Sequence, residues 1–164
     1  MCLGTACENR WSEAVRLLEK IIVVDDEPAI GELTALALST APAIQVEVFQ
    51  SGRQALQRIV SWQPDLLLVD IHMPDLDGLE LLRALRQQFN QNAIPAILFT
   101  SDIRPQNNQA LNALGIIAVL HKPFDPESLA QRLQALWRYY HGERANVSGM
   151  IPNAYCSSHH ETIR

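Results

Sequence analysis

The chain has 164 residues, 48% of them hydrophobic and 19% charged, with a formal net charge of −5. That length and balance describe one soluble globular domain with an adequate core. The acidic charge, without a basic stripe, argues against direct nucleic-acid binding, and no apolar run approaches the length of a membrane span.

Residues 1–18 read as a short N-terminal extension, with Ser12–Glu19 expected to make one or two helical turns. The opening MCLGTACENRW lacks the charged and apolar regions of a signal peptide. Cys2, Cys7 and Cys156 lie near the chain ends, an odd set that fits a reducing cytoplasm better than a disulfide framework. From Lys20 onward strand and helix signals alternate. Lys20–Val24 is the first strand, and Glu27-Pro28 opens a helix with proline at a tolerated first-turn position. Ile30, Leu33, Thr34, Ala37 and Leu38 mark its apolar face. Ile44–Phe49 alternates as an edge strand does. Ser51-Gly52 caps a second helix whose apolar face is Ala55, Leu56, Ile59 and Val60. Asp65–Val69 is a third strand, and the loop Ile71–Asp77 leads to a helix with Leu79, Leu82, Leu85 and Phe89 at helical spacing. Ile94–Phe99 is the fourth strand, Pro105–Leu114 a short helix ended by Gly115, and Ile116–His121 the fifth strand. Asp125-Pro126-Glu127 starts the last helix, whose buried face is expected to be Leu129, Leu133, Leu136 and Tyr140. Residues 141–164 are polar and aperiodic and read as a flexible tail. Five strand–helix units imply a parallel sheet covered on both faces.

Four of the apolar runs end in polar, chemically capable residues: IIVV before Asp25-Asp26, LLLV before Asp70, AILF before Thr100 and IIAVLH before Lys122. In a parallel sheet the carboxyl ends of the strands share one edge, which is where open α/β sheets bind ligands. A carboxylate that attacks phosphorus needs positive charge nearby to offset the phosphoryl oxygens. Three carboxylates together repel one another. A Mg²⁺ with the Lys122 ammonium balances Asp25, Asp26 and Asp70, and Mg²⁺ favours oxygen ligands. Thr100 can donate a hydroxyl hydrogen bond to a phosphoryl oxygen, and Asp70 is then the nucleophile.

These residues resemble the receiver domain of the response regulators of two-component systems, the CheY-like family. The matching stretches are VVDDEP at Val23–Pro28, LLLVDIHMPDLDGLELL at Leu66–Leu82, ILFTS at Ile97–Ser101 and HKPF at His121–Phe124. The resemblance runs over residues 19–140 and implies a doubly wound, five-stranded parallel sheet of order 2-1-3-4-5 with helices on both faces. It implies Asp70 as phosphoacceptor, Asp26 as a direct Mg²⁺ ligand and Asp25 as a ligand acting mainly through water. The backbone carbonyl of His72 would be a further ligand, Thr100 the switch hydroxyl, Lys122 the phosphoryl partner and Lys122–Pro123 a cis peptide. Met73-Pro74 and Gly78 would shape the loop after the acceptor. The implied function is a single-domain response regulator, not an enzyme acting on other substrates, that takes a phosphoryl group from a sensor histidine kinase or histidine phosphotransfer protein. It would then switch affinity for a protein target through the face at about residues 105–139, a face that also leaves a homodimer open. Two features depart from the family pattern. Val119 stands where an aromatic residue usually couples to the hydroxyl, and His72 and Asp102 stand where side chains overlook the phosphoryl group.

Other readings have their own signals. Val119 motivates a pseudo-receiver that binds its partner without phosphorylation. A hydrolase working through an aspartyl phosphate would need a second acid near the nucleophile, and Asp70-Ile71-His72 lacks one there. Cys156 with His159-His160 offers half a zinc site without a second pair. Trp137, Tyr139 and Tyr140 read mostly as packing, with some aromatic area left for a partner.

Overall fold

The computed structural model describes residues 17–88, 94–101 and 108–141. Five strands alternate with five helices: β1 Lys20–Val24, α1 Pro28–Leu38, β2 Gln45–Phe49, α2 Gly52–Trp62, β3 Leu66–Val69, α3 Gly78–Gln88, β4 Ala96–Thr100, α4 Asn108–Ala113, β5 Ile116–His121 and α5 Pro126–Tyr140. The strands form one parallel sheet in the order β2-β1-β3-β4-β5, so the doubly wound α/β architecture is as expected.

The apolar runs are strands because both faces of the sheet are covered. Alternate residues of each strand therefore enter different cores. Ile21, Val23, Leu66, Leu68, Ile97, Phe99, Ala118 and Leu120 meet Leu38 of α1 and Leu129, Leu133, Leu136 and Trp137 of α5. Ile22, Val24, Leu67, Val69, Ala96 and Leu98 meet Ala55 and Ile59 of α2, Leu81, Leu82 and Leu85 of α3, and Leu111 of α4. Local chemistry sets several helix ends. Ser51 accepts from the Gln54 amide, Asp125 accepts from the Glu127 amide, and Gly115 follows α4 at φ 67°.

Several expectations need correction. Leu17–Glu19 is not helical, and the rest of the anticipated Ser12–Glu19 turn lies outside the described residues. Tyr140 is 47% exposed and Trp137, at 3%, takes the inner position at the end of α5. Leu33 and Val60 are exposed although their spacing suggested a buried face. Asp65 stands just before β3 rather than in it; its carboxylate accepts from the Glu19 and Lys20 amides at 3.1 and 2.9 Å and so fixes the entry to β1. The fourth strand starts at Ala96 rather than Ile94. Phe89, Asp102, residues 105–107, the tail from 142 onward and the Cys156–His160 motif all lie outside the described residues.

Candidate functional site

The ladder of the sheet continues past the strand ends and brings the polar residues together. The Asp25 amide donates to the Phe49 carbonyl at 3.0 Å, and the Asp70 amide to the Val24 carbonyl at 2.9 Å. On the other side of the crevice the Lys122 amide donates to the Thr100 carbonyl at 2.9 Å. Asp25 is fully buried, Asp70 and Thr100 are buried, and Asp26 is half-buried at the rim. The Lys122–Pro123 peptide is cis, in line with the resemblance.

The Lys122 ammonium bridges two carboxylates. It stands 2.6 Å from Asp25 Oδ2 and 2.7 Å from Asp70 Oδ2, with Glu27 at 3.9 Å. The contact to Asp70 is a hydrogen bond, whereas the one to Asp25 Oδ2 is a close ion pair without hydrogen-bond alignment. The other oxygen of each carboxylate faces backbone: Asp25 Oδ1 accepts from the Glu27 amide at 3.1 Å, and Asp70 Oδ1 from the His72 amide at 3.3 Å. Below the ammonium lies the Phe99 ring, 5.3 Å to its centroid, which in turn meets Phe124 at 4.9 Å.

Burial pushes the Asp25 carboxyl above its usual pKa, against the opposing pull of Lys122 and the Glu27 amide. Burial also works against the Lys122 charge, but the close contacts and charges of Asp25 and Asp70 outweigh it and raise the ammonium's pKa. The carboxylates of Asp25, Asp26 and Asp70 offer ligand oxygens within 4.8 Å of one another. Three carboxylates and one ammonium leave a formal charge of −2, which a divalent cation neutralises. The buried, unaligned Asp25 Oδ2 gives such a cation a ready oxygen, so the donor set fits a hard, oxygen-seeking ion.

The loop after Asp70 is closed tightly at its base. The Gly78 amide donates to the Ile71 carbonyl at 2.9 Å, and a Cβ on Gly78 would stand 2.1 Å from the Asp70 carbonyl oxygen. Only glycine permits that approach.

Residues 21–134 match the response regulator receiver domain family. The chain belongs to that family. Among receiver proteins, it is 38% identical over 119 residues to the response regulator MprA of Mycolicibacterium vanbaalenii, covering 73% of this chain and 50% of that protein. The chain spans about half the length of the curated relatives it matches. The chemotaxis response regulator CheY4 of Vibrio cholerae superposes with a TM-score of 0.65 at 31% identity, covering 73% of this chain and 99% of that one. The BeF3-activated N-terminal receiver domain of Klebsiella pneumoniae RstA gives a TM-score of 0.62 at 34% identity, covering 73% and 98%. The acidic triad of Asp25, Asp26 and Asp70 is of the kind that receivers use for Mg²⁺.

Of the side chains expected from the sequence, those of Asp25, Asp26, Asp70 and Lys122 come together in one crevice, while Thr100 ends β4 with its carbonyl bonded to the Lys122 amide, and the His72 amide touches Asp70. The His72 ring is not among the clustered metal-ligating groups of the described residues. Val119 is half-buried and packs on the α2, α3 and α4 side of the sheet, where an aromatic residue would stand in the usual receiver pattern. Three residues escaped the reading of the sequence. Phe99 was legible only as a core residue, although its place directly before Thr100 puts it next to the crevice. Asp75 tethers its loop to α2, with a partner 24 residues away. Arg86 donates to the Leu114 and Ile94 carbonyls at 2.8 and 2.9 Å, partners that no local pattern announces.

Proposed function

We propose that this receiver works as a single-domain response regulator in a phosphorelay, with residues 19–140 as the functional unit and Asp70 as its phosphoacceptor. The observation that carries the reading is the Lys122 ammonium held between Asp25 and Asp70, 2.6 and 2.7 Å from their carboxylates, beside the acidic triad. The donor is a phosphohistidine on a sensor histidine kinase or a histidine phosphotransfer protein. Asp70 Oδ forms the new O–P bond as the N–P bond breaks, and the imidazole leaves with that electron pair. Asp25, Asp26, Asp70 and the His72 carbonyl would hold the cation. Mg²⁺, when bound there, supplies positive charge that draws the phosphoryl oxygens to the acceptor. Lys122 pairs with one phosphoryl oxygen, and the Thr100 hydroxyl donates to another. Hydrolysis by water releases inorganic phosphate and restores the carboxylate, so turnover is confined to the protein's own modification.

A cytoplasmic location, a downstream protein target and a homodimer belong to the same reading. Among the described residues no helix is long and apolar enough to cross a membrane. The similarity to a BeF3-activated receiver supports phosphoryl chemistry at this site. Incubation with acetyl phosphate and Mg²⁺, read by intact mass, tests it. One phosphoryl group should be gained, and none in Asp70→Asn or with EDTA. A second reading, a pseudo-receiver that binds its partner without phosphorylation, is favoured by Val119 at the usual aromatic position. Absence of any mass gain in the wild-type protein would select it.

A further inference from the structure

The loop Ile71–Asp77 is anchored at two ends, and the second anchor has no counterpart in the chemistry so far described. Its base is held at Gly78 and Asp70. Its tip is held on the N-terminus of α2 by Asp75. The Ser51 hydroxyl donates to Asp75 Oδ2 at 2.6 Å, and the Gly52 and Arg53 amides donate to the same carboxylate at 3.3 Å. Ser51 Oγ in turn accepts from the Gln54 amide, so a single chain of hydrogen bonds joins the helix cap to the loop. A carboxylate at a helix N-terminus is also favoured by the helix dipole. The Ser51 hydroxyl and these amides hold the Asp75 carboxyl below its usual pKa, which keeps it an acceptor at neutral pH.

The tip is held by close contact as well. A Cβ on Gly52 would stand 2.9 Å from the Leu76 carbonyl oxygen and 3.0 Å from Leu76 Cβ, so the loop tip rests directly on the first turn of α2. Leu76 itself packs against the core beneath α2 and α3. Between the pinned tip and the pinned base stands His72, whose amide donates to Asp70 Oδ1.

We infer that Asp75 is a positioning residue for the cation site: by tying the loop tip to α2 it fixes where the His72 backbone carbonyl stands relative to Asp70. This rests on the proposed use of that carbonyl as a ligand. Asp75 is not among the clustered carboxylates of the described residues and acts through the backbone of residues 72–75. Groups that orient metal ligands in this way typically change affinity by about 10–100-fold when lost. Here one ligand among several is affected, so the low end applies.

The test is Mg²⁺ titration of the full chain, followed by amide NMR shifts at residues 69–73, together with hydrogen exchange of residues 72–76 in EDTA. Asp75→Ala should raise the Mg²⁺ Kd about tenfold and speed loop exchange in the metal-free protein. Asp75→Asn, which keeps an acceptor oxygen for the α2 amides, should stay within about threefold of wild type. Ile59→Val loosens the packing of the same helix without touching the tether, and should leave Kd unchanged; a shift equal to that of Asp75→Ala would reduce the effect to stability and overturn the inference. Wild-type Kd and exchange in Asp75→Ala would also overturn it while leaving the acceptor site intact. A wild-type protein that binds no Mg²⁺ at millimolar concentration would remove both the inference and the cation site on which it stands.

Discussion

Replacing Lys122 by methionine isolates the ammonium, because the methionine keeps an apolar stem over the Phe99 ring. The Lys122 and Asp70 side chains are each 9% exposed and the Asp25 side chain 0%, so the charges sit where screening by water is weak. Leaving one side of a buried ion pair unpaired costs about 3–5 kcal/mol, and the half-exposed Asp26 and the rim argue for the lower end, about 3 kcal/mol at pH 8. The penalty is pH-dependent. Asp25 already has its carboxyl raised above the ordinary 3.8 by burial, and loss of Lys122 removes the close ion pair that opposes this. A carboxyl raised in the folded state favours folding below its unfolded pKa, and this contribution is lost as pH rises through the folded value. Lys122 in the wild type is raised above 10.5, so its contribution is fully present at both pH 5 and pH 8. The difference between the two proteins should therefore shrink as pH falls from 8 to 5, in the direction in which the unpaired, buried Asp25 more readily takes up a proton. Urea unfolding at pH 5 and pH 8 in EDTA, followed by circular dichroism, measures both values. Equal stabilities at pH 8, or a larger loss at pH 5 than at pH 8, would refute the account of the crevice as a buried charge cluster.

Two further substitutions probe the frame around the crevice. Gly78→Ala forces a Cβ to 2.1 Å from the Asp70 carbonyl oxygen and 2.9 Å from Val69 Cγ1. It should cost about 2–3 kcal/mol in urea unfolding and slow phosphorylation by acetyl phosphate, since the backbone that must move carries the acceptor. Arg86→Met bares the Leu114 and Ile94 carbonyls and should cost about 2–4 kcal/mol. Arg86→Lys should recover less than half of that loss, because a single ammonium cannot reproduce the guanidinium fork; full recovery would show that charge, not geometry, matters there.

The sequence by itself determined the architecture and most of the crevice. Strands buried on both faces must be apolar throughout, so IIVV, LLLV and AILF announce β1, β3 and β4, and the residues that break each run mark the sheet edge where Asp25, Asp26, Asp70, Thr100 and Lys122 meet. Two of those strands start later than the pattern suggests, at Leu66 rather than Asp65 and at Ala96 rather than Ile94, because polar and apolar neighbours at a strand entry carry no period of their own. Helix faces were less legible. Helical spacing narrows the candidates without ranking them, so Leu33, Val60 and Tyr140 shared the pattern of buried residues yet stand exposed, and Trp137 fills the place given to Tyr140. Only the tertiary structure decided that Lys122 lies between Asp25 and Asp70, that Asp75 reaches Ser51, and that Arg86 serves the carbonyls of Leu114 and Ile94. Each of those contacts joins different elements of the chain, and a local pattern of hydrophobicity holds no record of which polar groups the folded backbone brings within hydrogen-bond reach.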